Sequence, residues 1–351
     1  MRRKLILILV LLCLVVAAKV FGSEVKKAMP PDTATPPIPP TMTPSPCPVF
    51  YNKTDFVNYI AKAPPGSCAR YKGDDLKLYD FSNKSIHEFF FGNTNIDKKG
   101  INKTRELTID KKMLIEEVPI EIPDNNTNKT QLFTSDVGIL WQNFVGEWAR
   151  YVRDSDYTIV RMSGIIQPEN LYNTGEEFCS YQEREFYLDY GTEDLVEYIV
   201  RHYDDGTIRI WVAVYDNGFE GPDKWYFGFE SGDVSHEYIF EINSGYYYFW
   251  LKNIETGDVE VGFYDDTDDP SDYINWLKGS AELYYNVLDK EFKAETWIND
   301  YWAWDENGNY YRPRTVFDWA GYSEEKPYVE MTAYSMHDNT ILTRHECYYF
   351  D

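Results

Sequence analysis

Short runs rich in Tyr, Trp, Phe, Val and Ile alternate with polar residues from about residue 137 to residue 351. The clearest runs are "TIRIWVAVYDNG" and "GYYYFWLKNIETGDVEVGFY", and turn-forming pairs such as Asp205-Gly206 and Asn307-Gly308 recur along the same region. Alternation with a period of two is typical of strands that bury one face. Recurring turn signals between such strands predict an all-β domain at 137–351, an antiparallel sandwich or barrel.

One segment, "SDYINWLKGSAELYYNVLDKEF", interrupts this pattern. Ser271 is a candidate N-cap, and Ile274, Leu277 and Ala281 have helical spacing, although Gly279 weakens a helix. The segment therefore predicts a short helical insertion within the β domain.

The first residues are typical of a secretory signal. A basic start at residues 2–4 precedes a 14-residue apolar run at residues 5–18, which is shorter than a comfortable membrane span. We predict a signal peptide at 1–22, with an uncleaved anchor as the alternative. The protein is then expected to be secreted or at the cell surface, with no stable membrane span after cleavage.

The next two segments are polar. The sequence predicts a Pro/Thr-rich stalk at 23–50, because "PPDTATPPIPPTMTPSPCP" favours extended polyproline geometry. Residues 51–136 form a polar N-terminal region with clustered sequons, which predict a glycoprotein, although chance composition explains them equally. The sequons begin at Asn52, Asn83, Asn102, Asn125 and Asn128.

Charge and cysteine content narrow the classes of function. The net charge of -24 disfavours nucleic acid as a partner. In an exported chain the four cysteines outside the signal predict two disulfides. We favour Cys47–Cys68 and Cys179–Cys347 among three connectivities, and zinc is the competing interpretation, although no C-x-x-C pair occurs.

Most catalytic signatures are absent: the sequence has no G-x-S-x-G, no H-E-x-x-H, no P-loop and no Gly-rich dinucleotide turn. No cofactor is expected, with one exception. Clustered carboxylates suit Ca²⁺, so the run "DDTDDPSD" is a candidate calcium site, with a solvated acidic loop as the alternative. Its candidate ligands are Asp265, Asp266, Asp268 and Asp269.

Several segments in order resemble the glutamic peptidases (eqolisins). "EWARYVRDSDYTIVRMSGIIQPENL" is similar to the first strands of that family, "KAETWIND" to its A-E-W-I-x-E segment, and "RTVFDWAGY" to a late aromatic strand. The resemblance covers about residues 140–351. It implies a concanavalin-like sandwich of two antiparallel sheets. It also implies a metal-independent acid peptidase, in which a Gln and a Glu on a concave face hold a water molecule.

On this resemblance the candidate catalytic residues are Glu295 and Glu197. Glu295 is followed by Thr296 and then Trp297, so strict alternation puts Glu295 on the face of Trp297. Either Thr296 occupies the catalytic position and the site is inactive, or a one-residue bulge returns Glu295 to the cleft. Two glutamates a few ångströms apart would share a proton and hydrolyse peptides or glycosides.

Three functions remain open from the sequence. The first is a divergent glutamic-type endopeptidase that hydrolyses proteins outside the cell, and the second is a non-catalytic surface module that binds glycans or peptides. The aromatic content of 17 per cent suits a sugar-binding face, but it also suits a core. The third is a structural envelope component. The spatial relation of Glu197 to Glu295 separates the first function from the others.

Overall fold

The computed structural model describes eleven stretches of the chain. These are residues 47–92, 144–173, 179–189, 194–202, 208–216, 224–231, 235–267, 273–284, 292–324, 329–335 and 339–349. The predicted signal peptide and nearly all of the stalk lie outside them, as do the sequons at Asn102, Asn125 and Asn128. Within the described part of the chain, no helix has the length and apolar character needed to cross a membrane.

Within these stretches the chain is mostly β-strand. The strands are β1 (Val49–Phe50), β2 (Cys68–Tyr71), β3 (Phe144–Arg153), β4 (Ile159–Asn173), β5 (Cys179–Asp189), β6 (Asp194–His202), β7 (Ile208–Tyr215), β8 (Lys224–Ser231), β9 (His236–Asn243), β10 (Tyr246–Asn253), β11 (Val259–Asp265), β12 (Trp276–Tyr284), β13 (Phe292–Asp305), β14 (Tyr310–Tyr311), β15 (Phe317–Glu324), β16 (Val329–Ser335) and β17 (Ile341–Tyr349). The helices are α1 (Lys53–Ile60), α2 (Ile86–Phe91), α3 (Pro313–Val316) and a 3₁₀ turn (Asp74–Leu78).

The strands form two sheets. The ten-stranded sheet has the order β1-β2-β11-β10-β9-β4-β13-β17-β16, with β14 paired to β13, and the seven-stranded sheet has the order β15-β3-β12-β5-β6-β7-β8. Every pairing is antiparallel except that of β1 with β2. The two-sheet β-sandwich predicted from the sequence is therefore confirmed.

Aromatic rings from both sheets meet in the core. Phe186 of the seven-stranded sheet lies 5.9 Å from Tyr238 and 5.1 Å from Phe240 of the ten-stranded sheet, measured between ring centroids. All three side chains are fully buried. Much of the aromatic content is thus explained by packing between the sheets, and each sheet has a second face that points away from this core. We refer to that other face as the outer face.

The predicted helical insertion is wrong. Residues Trp276–Tyr284 form β12, which pairs with β3 on one side and β5 on the other. Leu277 and Ala281 both point into the core, because residues four apart share a face in a strand as well as in a helix. The helical spacing was therefore equally compatible with a strand, and pairing to two neighbouring strands decides the conformation.

Residues 47–92 pack on the outer face of the ten-stranded sheet. Asn52 caps α1 by accepting a hydrogen bond from the main-chain N–H of Asp55, and Ser85 caps α2 in the same way. Apolar side chains of this segment form a second core with the outer faces of β9, β10 and β11. That core includes Phe56, Ile60, Leu76, Phe81, Phe89, Phe90, Ile239, Tyr248, Trp250 and Phe263.

The predicted Cys47–Cys68 disulfide is confirmed, with a Cα–Cα distance of 5.2 Å. The predicted Cys179–Cys347 disulfide stays a prediction, because the side chain of Cys179 lies outside the described residues. Cys347 is buried in the ten-stranded sheet, and its Sγ lies 3.5 Å from the main-chain carbonyl oxygen of Glu282. Cys179 begins β5 in the opposite sheet.

A buried glutamate cluster as the candidate functional site

Three glutamates converge on the outer face of the seven-stranded sheet. Glu183 and Glu185 occupy alternate positions of β5, and Glu197 of β6 is directly paired with Glu185. Each contributes a carboxylate oxygen, and these oxygens lie within 4.8 Å of one another. The exposed fractions of Glu183, Glu185 and Glu197 are only 6%, 1% and 8%.

Strand β12 adds three polar residues to the same face. Lys278 pairs in register with Glu185, and its Nζ lies 2.5 Å from a carboxylate oxygen of that residue. The Oγ of Ser280 donates a hydrogen bond to Glu183 at 3.0 Å. Glu282 follows two positions later and is also buried. We call Glu183, Glu185, Glu197 and Glu282 the glutamate cluster.

Two tyrosines contact the directly paired carboxylates. The hydroxyl of Tyr187 hydrogen-bonds to Glu185, and the hydroxyl of Tyr215 hydrogen-bonds to Glu197. Burial, followed by the nearby carboxylates, raises the pKa of both phenols well above the usual range. Both phenols therefore remain hydrogen-bond donors at every pH at which the protein is expected to work.

The electrostatic environment opposes full ionisation of the cluster. Burial raises the pKa of Glu197 well above its usual range, and the charge of Glu185 raises it further. Burial and the charge of Glu282 act in the same direction on the pKa of Glu183. Like charges this close cannot all ionise away from water, so the cluster retains protons where ordinary carboxyl groups lose them.

The cluster suits proton transfer better than it suits a resident metal ion. Closely grouped carboxylates are what a hard cation prefers. Here, however, the ammonium group of Lys278 already contacts Glu185 and supplies a positive charge inside the cluster. Glu183 is in turn engaged by Ser280. Two carboxyl groups with raised pKa values, Glu183 and Glu197, close to a lysine form the kind of arrangement found in acid–base sites.

The structure separates the two predicted catalytic residues. Glu197 alternates with the core residues Val196 and Tyr198, so it points to the outer face of the seven-stranded sheet. Glu295 lies on β13 of the ten-stranded sheet and alternates with Thr296. The Oγ1 of Thr296 donates to Gln182 of the facing sheet at 3.2 Å. Glu295 therefore points away from Glu197, on the opposite outer face, and the two do not form a pair.

Glu295 and Trp297 lie on the same face of β13, as strict alternation predicts. Arg344 contacts both: its Nε lies 2.5 Å from a carboxylate oxygen of Glu295, and its guanidinium group lies 5.9 Å from the centre of the Trp297 ring. A bulge does occur near Glu295, but the extra residue is in β4. Lys293 and Glu295 are two residues apart on β13, whereas their partners Tyr172 and Glu169 are three residues apart on β4. The bulge leaves Glu295 on the Trp297 face.

Glu295 belongs to a network of ion pairs. Arg344 also contacts Glu346 at 2.5 Å, and Lys293 lies 2.7 Å from Glu346 and 3.9 Å from Glu295. Since each of these carboxylates has cationic partners across neighbouring strands, the arrangement is typical of a stabilising sheet surface.

The predicted calcium ligands are partly described. Asp265 is buried and accepts hydrogen bonds from the main-chain N–H and Oγ1 of Thr267. Asp266 is buried and accepts from the hydroxyl of Tyr247. These contacts account for both carboxylates as parts of a turn. Asp268 and Asp269 lie outside the described residues, so a calcium site there stays a prediction.

Glu197 is the one residue of this site that is predicted from the sequence; Glu183, Glu185, Glu282 and Lys278 are not predicted. A signal for them was present. In "SYQEREFYLD" two glutamates alternate with a glutamine and an arginine, and in "LKGSAEL" lysine, serine and glutamate alternate with apolar or small residues. Both segments have the alternation of a strand with polar residues on one face. The second segment, "LKGSAEL", also has helical spacing, and a helix is what the sequence predicts there.

Comparisons with known proteins find similar solved structures but no sequence match. No protein-family model and no curated protein matches the sequence. Among solved structures, Scytalido-glutamic peptidase with a peptide-based transition state analog is similar at a TM-score of 0.40 and 12% identity, covering 57% of this chain and 97% of that one. SCP-B of the eqolisin family, in complex with the tripeptide Ala-Ile-His, is similar at a TM-score of 0.37 and 12% identity, covering 57% and 96%.

A plant lectin is also among the similar structures. Winged bean acidic lectin complexed with methyl-alpha-D-galactose has a TM-score of 0.27 and 7% identity, covering 60% of this chain and 81% of that one. At these identities and TM-scores the likenesses concern the sandwich fold alone. They assign neither an activity nor a residue role.

Proposed function

We propose that the chain is a divergent carboxyl-type endopeptidase that hydrolyses proteins at acidic pH outside the cell, and that its reacting groups are Glu185 and Glu197. The observation that carries the proposal is the direct pairing of these two glutamates within a buried group of carboxylates. Glu185, in contact with Lys278, is the charged member of the pair. Glu197, with its raised pKa, is the protonated member.

Peptide hydrolysis by this pair follows from proton sharing. Glu185 removes a proton from water as the water oxygen bonds to the scissile carbonyl carbon, and Glu197 gives its proton to the carbonyl oxygen. The tetrahedral diol then collapses: Glu185 passes its proton to the leaving nitrogen, the C–N bond breaks, and Glu197 recovers a proton from a hydroxyl group. Both residues return to their starting states.

The closeness of the two carboxylates allows them to share a proton. The oxygens of Glu185 and Glu197 lie within 4.8 Å of each other. A pair of carboxyl groups that shares one proton is the device by which aspartic proteases cleave peptides.

The test is cleavage of denatured, fluorescently labelled casein by the purified full chain between pH 3 and pH 7. We expect cleavage at acidic pH, unaffected by EDTA and reduced at least about 100-fold by Glu197→Gln, since a positioned acid contributes about 10²- to 10⁴-fold. Glu295→Gln is the matched control and should retain activity. Absence of cleavage by the wild-type chain at every pH, or equal cleavage by Glu197→Gln, would refute the proposal.

The second candidate function is a non-catalytic module that binds glycans. The observation in its favour is that Tyr187, Tyr215 and Trp276 share the outer face with the glutamate cluster, and such rings stack on sugars. Glycan-array binding that is lost in Tyr215→Ala, together with no cleavage of casein, would favour this candidate over the peptidase.

A further inference from the structure

Lys278 brings a buried positive charge into the glutamate cluster. Four buried glutamates lie around one ammonium group, which is itself buried on β12, the strand next to β5. The groups that face this ammonium are Glu183, Glu185 and Tyr187 on β5, Arg150 on β3, Glu197 on β6 and Glu282 on its own strand, and Tyr215 on β7 lies beyond Glu197. Among them, Glu185 is in direct contact at 2.5 Å.

Lys278 contacts one member of the Glu185–Glu197 pair and not the other. Its Nζ is bound to Oε1 of Glu185, and the Oγ of Ser280 lies 3.4 Å from the same oxygen. Glu197 is instead hydrogen-bonded to Tyr215, a neutral group. The two members of a proton-sharing pair therefore have different partners, one cationic and one neutral.

We propose that Lys278 is the positioning residue of this site: its ammonium group keeps Glu185 charged, confines the shared proton to Glu197, and so sets the pH range in which the pair works. The inference rests on the proposed function, because it concerns the regulation of the same pair.

The energetics agree with this geometry. Burial lowers the pKa of Lys278, but the charges of Glu185 and Glu282 outweigh burial and raise it above its usual range. The charge of Lys278 in turn opposes the rise in the pKa of Glu197 and of Glu183. Removing the ammonium group should therefore raise the pH at which these carboxyl groups titrate.

The experiment uses two readouts on the full chain: the ¹³C titration of labelled glutamate carboxyl groups, and the pH profile of casein cleavage. The Glu197 signal is assigned by its loss in Glu197→Gln. In Lys278→Met we expect its midpoint, and the acidic limb of the activity profile, to move up by about one pH unit or more, since a nearby opposite charge shifts a pKa by about 1 to 3 units. Lys278→Arg should restore both.

Lys293→Met is the matched control, because Lys293 also pairs with a glutamate but lies in the other sheet. It should move neither readout. Unchanged midpoints in Lys278→Met, or equal shifts in Lys293→Met, would overturn the inference. If Lys278→Met does not fold, the double variant Glu183→Gln/Lys278→Met is compared with Glu183→Gln, because the double variant loses one negative and one positive charge together. The Glu197 midpoint must then be higher in the double variant.

The two readouts also separate this inference from the proposed function. A carboxyl titration that shifts in Lys278→Met, in a protein that cleaves no casein at any pH, would refute the peptidase and support Lys278 as the group that controls the charge of the pair. Cleavage that depends on Glu197 but not on Lys278 would support the peptidase and refute the role of Lys278.

Discussion

Glu185 and Glu197 face each other as directly paired residues of β5 and β6, and both carboxyl groups are withdrawn from water. An exposed glutamate carboxyl group, as in the unfolded chain, loses its proton at about pH 4.3. Burial, and then the charge of Glu185, raises the pKa of Glu197 in the folded state. The folded protein thus holds a proton that the unfolded chain releases.

The stability of the protein should therefore fall with rising pH, and Glu197→Gln should flatten this dependence. The contribution of the Glu197 proton is fully present below about pH 4.3 and is lost as the pH rises towards the raised pKa, with a slope of at most about 1.4 kcal/mol per pH unit for one proton. Denaturant unfolding between pH 4 and pH 8 measures it. Parallel curves for the wild-type chain and Glu197→Gln would contradict the prediction, and Glu295→Gln is the control.

Gly279 is required because His345 packs against it. A Cβ at position 279 would lie 2.9 Å from Cε1 and Nε2 of His345, whose ring is fully buried and hydrogen-bonded to Thr343 at 2.8 Å. Since the ring cannot move away without losing that bond, Gly279→Ala should lower the free energy of unfolding by about 1 to 3 kcal/mol. Thermal unfolding checks this. The cost should shrink in a His345→Ala background, and equal costs in both backgrounds would reject the contact as the cause.

The ion pairs around Glu295 should respond unequally to mutation. Glu295→Gln leaves Arg344 paired with Glu346, so we expect a loss of less than about 1 kcal/mol. Arg344→Met removes a partner from Glu295 and Glu346 together and leaves two acidic groups side by side. Its cost should be larger, about 1 to 3 kcal/mol. Chemical unfolding of both variants at neutral pH tests the order, and a reversed order would show that this network is not a stabilising one.

The Cys47–Cys68 disulfide should contribute to the stability of the packed segment at residues 47–92. It links residues 21 apart, and closing a loop of about this length stabilises a fold by about 3 kcal/mol in the chain-entropy model. Cys47→Ser/Cys68→Ser should therefore unfold at lower temperature, and hydrogen exchange should increase first in β2. Unchanged exchange in β2 would mean that packing alone holds the segment.

Sequence patterns predicted the strands better than their partners. Period-two alternation is a local property, so it identified the sandwich and placed Glu295 on the Trp297 face. The spacing of Leu277 and Ala281 fits a helix as well as a strand, and only the pairing of β12 with β3 and β5 excludes the helix. Lys278 and Glu282 lie on this strand, so the helical pattern gives no sign that they share a face with Glu185.

Predicting the candidate site requires more information about distant parts of the chain than predicting the strands does. Glu197 was predicted to share a proton with a second glutamate, and the structure does supply one, but it is Glu185 rather than Glu295. Nothing in the sequence near Glu295 shows that β13 belongs to the other sheet. Which strands are neighbours is decided by packing across the whole domain, so residues that converge from three strands cannot be assembled from segments one at a time.

Strand β2 has a consequence for the order in which the protein can assemble. Its partner is β11, so Arg70 pairs with Glu260, a residue 190 positions later in the chain. During synthesis residues 68–71 must wait until β11 has been made, whereas the Cys47–Cys68 loop can close early. Contacts of such long range slow folding. In the meantime the disulfide can hold the waiting strand beside β1, and so reduce the chance that an unpaired sheet edge meets another copy of the chain.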